Sequence, residues 1–99
     1  MSVSKPNVIF VLLDGARWDR VNVSNDFQEI CKEGTLLNNV TTAMPYTIGS
    51  INVTFSGLYG KDNGVDAYYN VLKLKEGIKN LPVIFKKEGY FTACDLLHE

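Results

Sequence analysis

An α/β fold, arranged as a partial doubly wound, mainly parallel sheet with helices on both faces, is what this sequence predicts from three observations. Residues 7–13, NVIFVLL, form an unbroken apolar run that is partly β-branched, as in a strand covered on both faces. Residues 24–34 and 80–89 show helical spacing of apolar side chains between a capping residue and a glycine. Strand-like and helix-like stretches alternate, the order of a layered sheet with helical crossovers.

Each element has a local reason. Pro6 precedes the first run as an entry residue, and Asp14 ends it. In SNDFQEICKEG, Ser24, Asn25 or Asp26 can cap, Phe27, Ile30 and Cys31 share one face, and Gly34 stops the helix. Residues 35–43, TLLNNVTTA, are β-prone with a polar middle and read as a strand or an extended loop. Between Pro45 and Gly57 a short helix fits from about Ile48 to Phe55. Residues 60–79 are polar and glycine-containing, with weak alternation in YNVLKLK, and read as a loop. In NLPVIFKKEG, Asn80 caps, Pro82 sits in the first turn, Leu81, Ile84 and Phe85 face one way, and Gly89 stops the helix behind Lys86 and Lys87. YFTACDLL, residues 90–97, reads as a second strand carrying Asp95 near its end.

Composition bounds the function. At 99 residues the chain is near the lower size at which a domain buries a good core alone. A hydrophobic share of 45% with 21% charged residues is that of a soluble globular chain. A net charge of −1 leaves no basic footprint for nucleic acid or an anionic membrane. The apolar run before Asp14 is too short for a membrane span or a signal core, so a start at Met1 and a cytoplasmic location are expected. On that basis the Asn-x-Ser/Thr triplets at Asn22, Asn39 and Asn52 carry no weight, and Cys31 and Cys94 read as reduced, buried thiols. No Cys or His pairs at short spacing suggest a zinc site.

Two residues stand out chemically. Asp14 closes the predicted strand, where α/β sheets gather ligands. Its carboxylate suits a hard cation, with Gly15 allowing close approach, but an Asp-Gly pair after a strand is equally a turn device, and spacing alone favours the turn. Thr47 heads the short helix, where its hydroxyl can cap a backbone N–H or act as a nucleophile beside the positive helix end. One cation bound by both Asp14 and Thr47 would activate that hydroxyl. Ser50 and Asn52 offer donors to a tetrahedral anion, or simply bond along the helix surface. Arg17 and Asp19 read as a surface ion pair. His98, the sole histidine, lies next to the terminus and reads as solvated, and the aromatic residues read as core or rim.

These stretches resemble a known family. KPNVIFVLLDGARWD is similar to the opening strand of the alkaline phosphatase superfamily, in its sulfatase and nucleotide pyrophosphatase/phosphodiesterase branches, where an Asp ends the strand and binds metal. FQEICKEGTLLNNVTTAMPYT resembles the segment leading to the nucleophile, and YTIGSINVTFSGLYGKDNGV resembles the nucleophile helix with its Ser/Thr-Gly-Leu-Tyr end and His-Gly-Val-like turn. LPVIFKKEGYFTA is like the family's Leu-Pro-x-Leu helix and Gly-Tyr-x-Thr-Ala strand. The resemblance implies the front part of an alkaline-phosphatase-like fold, Asp14 and Thr47 as metal ligands, and Thr47 as the nucleophile, with Ser50 and Asn52 assisting. It also implies a divalent ion (Zn, Mn, Mg or Ca) and a small-molecule phosphate or sulfate ester as substrate.

The sequence departs from the formylglycine pattern Cys-x-Pro-Ser-Arg. Thr47 cannot become formylglycine, Gly49 stands at the proline and Ile51 at the arginine, while Ser50 is kept. Gly15 replaces a second Asp, which points toward phosphodiesterases, phosphatases or phosphotransferases. The family domain is several times longer, with its other Asp and His ligands in the second half. Residues 1–99 are therefore expected to be a single N-terminal portion, inactive alone, and liable to self-associate through exposed sheet edges. Two alternatives are a non-catalytic α/β remnant or binding module and an aspartyl-phosphate phosphatase using Asp14. The second lacks an Asp at Ala16, and dinucleotide binding lacks its glycine motif.

Overall fold

A computed structural model describes residues 4–67 and 74–95. The chain divides into two compact units, Met1–Asn39 and Val40–Glu99.

The first unit begins as extended chain and turns at Asp14-Gly15. The Ala16 amide donates to the Leu13 carbonyl at 3.4 Å, and Gly15 takes φ 67°. A positive φ at the third residue of a β-turn is the conformation glycine adopts most freely. Helix α1, Trp18–Val21, follows, then α2, Asn25–Glu33. Ser24 caps α2, its hydroxyl accepting from the Phe27 amide at 3.5 Å. Trp18 and Phe27 meet edge to face with ring centroids 6.2 Å apart, the favoured geometry for two aromatic quadrupoles. Phe27 and Cys31 are half-buried on α2, whereas Ile30 on the same face is exposed.

The second unit holds α3 (Thr47–Ser56), α4 (Gly60–Asn63) and α5 (Leu81–Lys87), with α3 packed on both of the others. Helix α3 ends at Gly57, φ 69°, and α4 at Gly64, φ 94°, both left-handed caps. The Asn80 side chain caps α5 by accepting from the Val83 amide at 3.1 Å. Its C-terminus is a Schellman motif: Tyr90 N–H reaches Phe85 C=O at 3.0 Å, and Gly89 N–H reaches Lys86 C=O at 3.1 Å. The Phe85 and Tyr90 rings, 4.9 Å apart, supply the apolar contact that accompanies the motif.

Val65, 1% exposed, and Asn63, 0% exposed, are the fully buried side chains of this unit among the described residues. Asn63 Nδ2 donates to Leu58 C=O at 3.0 Å and to Ser56 Oγ at 3.3 Å, and its Oδ1 accepts from Val65 N–H at 2.8 Å. The Lys75 amide donates to the Asn63 carbonyl at 2.8 Å. One amide side chain thus ties the end of α3 to the turn after α4.

The predicted parallel sheet is not there. The described residues form five helices and no strand. The segment 7–13 lies open on both faces, with Ile9 86% and Phe10 55% exposed, and Phe91 in the second predicted strand is 94% exposed. The reason is physical. A helix closes its backbone hydrogen bonds within one segment, whereas a strand takes them from a neighbouring strand, so an apolar run makes a sheet only where another lies beside it. The expected self-association through sheet edges therefore has no edge among the described residues. Cys94, expected buried, is exposed on the uncovered segment 91–95, and Cys31 is half-buried; both thiols are free. His98, Tyr68, Tyr69 and most of YNVLKLK fall outside the described residues.

Gly60 is buried against this knot. A Cβ there would lie 2.7 Å from the Val65 carbonyl oxygen and 3.1 Å from Asp66 Cα, both backbone atoms. Gly60→Ala is expected to destabilise the second unit by about 1–3 kcal/mol, seen as a lower urea midpoint in circular dichroism.

Candidate functional site

Asp14 and the nucleophile candidate belong to different units. Asp14 is exposed in the Leu13–Ala16 turn of the first. Thr47, Ser50 and Asn52 all lie on α3 of the second.

The N-cap of α3 is Tyr46, and its side chain makes no capping bond; Thr47 is the first helical residue and is exposed. Helix α3 thus starts one residue earlier than the expected Ile48. Tyr46 folds its ring back over Gly49, so that a Cβ at position 49 would lie 2.7 Å from Tyr46 Cζ. Gly49 is accordingly the buried residue of α3.

Ser50 and Asn52 are committed within the protein. Thr42 Oγ1 donates to the Met44 carbonyl at 2.9 Å and lies 3.4 Å from Ser50 Oγ. A hydroxyl has one proton, so Thr42 accepts and Ser50 donates in that pair. Ser50 must release Thr42 before it can donate to an anion. Asn52 Nδ2 donates to the Ile48 carbonyl at 2.8 Å, the bond of a helix surface. Thr54 and Ser56 bond back to Ser50 and Asn52 carbonyls in the same way. A shallow groove lined by Val40, Thr42, Ser50 and Val53 opens beside this hydroxyl pair.

Sequence reasoning did not single out Thr42, Tyr46 or Asn63 for these contacts. Thr42 and Tyr46 flank Pro45, and a chain reversal before a helix is a signal that side chains on either side fold onto its first turn. The signal for Asn63 was its place in the Asn63-Gly64-Val65 turn that the family resemblance marks.

Arg17 and Asp19 form the expected surface ion pair. Arg17 Nε and Nη2 donate to the two Asp19 carboxylate oxygens at 3.0 and 2.8 Å. The Arg17 guanidinium holds the Asp19 carboxyl below its ordinary 3.8, and Asp19 raises Arg17 in turn.

Among the described residues no three of Asp, Glu, His and Cys come together to hold a metal ion. Asp14 has the chemistry of a hard-cation ligand, but the described residues do not by themselves complete a coordination sphere. No helix among them is long and apolar enough to cross a membrane.

The Sulfatase family model matches residues 6–95. The chain belongs to the sulfatase family. Sulfatases act on sulfate esters and generally use a divalent metal. The matched span runs from Pro6 ahead of the first apolar segment to Asp95, and so takes in both units. No curated protein and no solved structure matches the chain.

The depressed carboxyl gives a signed prediction. Asp19 contributes stability above its unfolded pKa and loses it as pH falls through the lower folded value. Carboxyl NMR titration should place the Asp19 midpoint below 3.8, with Arg17→Gln returning it to the ordinary range. Salt at about 1 M, where the screening length is about 3 Å, should narrow the difference.

Proposed function

We propose that the chain contributes the front part of a sulfatase-like centre that transfers the sulfate or phosphate group of a small-molecule ester. Thr47 is the attacking hydroxyl and Asp14 one ligand of a divalent cation. The observation that carries this reading is the family match across residues 6–95, joined to the resemblance of the stretches around Asp14 and Thr47 to the family's acid-bearing and nucleophile segments.

In the transfer, Thr47 Oγ1 forms a bond to sulfur or phosphorus, the ester S–O or P–O bond breaks, and the threonine proton leaves with the departing alcohol. Thr47 is exposed at the start of α3, where the positive end of the helix favours an anion. Ser50 adds a donor once it turns from Thr42, and Asn52 once it turns from Ile48. A Zn, Mn, Mg or Ca ion, held by Asp14 and Thr47 with ligands from elsewhere, would polarise the ester and lower the pKa of a bound hydroxyl.

Two measurements test the proposal. Titration with Mg, Ca, Mn or Zn, followed at the Asp14 and Gly15 amides, should show weak saturable binding that Asp14→Asn removes; equal responses from both proteins would take Asp14 out of the site. The 99-residue chain loaded with metal should leave nitrophenyl sulfate and nitrophenyl phosphate at the buffer rate. Turnover that Thr47→Ala abolishes would instead make the chain active alone, and turnover that survives it would remove Thr47 as the nucleophile.

A further inference from the structure

We infer that Asn63-Gly64 is a covalent modification site, a deamidation site that the folded second unit keeps closed and that local opening exposes. It is the one Asn-Gly pair in the sequence. Glycine after asparagine has no Cβ to obstruct its nitrogen, so the pair is prone to closing on itself. Base removes the Gly64 amide proton, and Gly64 N bonds to Asn63 Cγ. The Cγ–Nδ2 bond then breaks and ammonia leaves. Water opens the resulting succinimide at either carbonyl, leaving aspartate or isoaspartate at position 63. Nothing is oxidised or reduced.

In the folded unit each group this reaction needs is held away from it. The attacking Gly64 N–H donates to the Gly60 carbonyl at 2.8 Å. Oδ1 of Asn63 accepts from Val65 N–H, while Nδ2 donates to Leu58 C=O and Ser56 Oγ, which pins the carbon under attack. The side chain is fully buried, closed to base and to the water that must complete the reaction. The Lys75 amide bond to the Asn63 carbonyl holds the backbone as well. Closure to the succinimide therefore requires the α4 turn to come apart first.

The product does not fit the place it came from. A carboxylate accepts hydrogen bonds and donates none, so at position 63 it would set acceptor against the Leu58 carbonyl inside a buried pocket. An isoaspartate would also lengthen the backbone within the turn. Opening is reversible, but opening followed by ring closure is not, and each modified molecule records a loss of the second unit's fold.

The test compares rates on the full chain at mildly alkaline pH, in native buffer and in denaturant, by ammonia release and peptide mass mapping of residue 63. Deamidation should run more than about tenfold faster in denaturant, equivalent to an opening free energy above about 1.4 kcal/mol. In denaturant Gly64→Ala should slow it, since a methyl group crowds the attacking nitrogen whatever the fold. Asn63→Asp should lose the slow amide exchange of α3 and α4. Equal rates with and without denaturant, or no reaction at residue 63 in denaturant, would overturn the closed site. An Asn63→Asp chain whose α3 and α4 amides exchange as slowly as the parent's would overturn the claim that the product cannot refold there.

Discussion

Three hydrogen bonds to the side chain of Asn63 tie the end of α3 to the turns on either side of α4. They join the last turn of α3, the Leu58 carbonyl beyond it and the Val65 amide after α4, adding to the bonds that Ser56 Oγ makes with the Leu58 backbone. With Val65 beside it, Asn63 is fully shielded from water. A buried amide satisfied on both sides specifies one arrangement, because any slip leaves a donor or acceptor unmatched in low dielectric. The tight fit around Gly60 and the left-handed cap at Gly64 follow from the same knot, since both lie in the turn that Asn63 closes. Helix α3, which carries Thr47, Ser50 and Asn52, is anchored at its far end by these bonds, with Thr47 exposed at its start.

The legible parts of the fold were those settled by neighbours in sequence. Ser24 and Asn80 cap α2 and α5, and Gly89 sits in the terminal motif of α5, because capping is decided within a few residues. Helix α3 was legible from Pro45 before it and Gly57 after it. The four-residue helices α1 and α4 are too short to show a period and were not foreseen. The sheet failed for the opposite reason. Residues 7–13 show what a segment can bury, but whether a neighbouring strand is present is a non-local fact that its pattern does not contain.

The site divides along the same line. Asp14-Gly15 announced a turn, and a turn is what the backbone makes there, with Gly15 at positive φ. That geometry leaves the Asp14 carboxylate exposed and does not decide between turn residue and ligand. The identities of Thr47, Ser50 and Asn52 were readable, but their present hydrogen bonds were not. That Ser50 gives its proton to Thr42 depends on a chain reversal bringing residue 42 onto α3. Asn63 was the least legible residue of all, since a polar side chain in a polar stretch reads as surface until its partners are known.

The Tyr46 ring over Gly49 limits what position 49 can hold. In the formylglycine pattern a proline stands where Gly49 stands here, yet any side chain at that position would collide with the Tyr46 ring. A larger residue at 49 has room only once the tyrosine swings aside, because the atoms it would meet are those at the far end of that ring. Positions 46 and 49 are thus a coupled pair: the size allowed at one is set by the rotamer of the other.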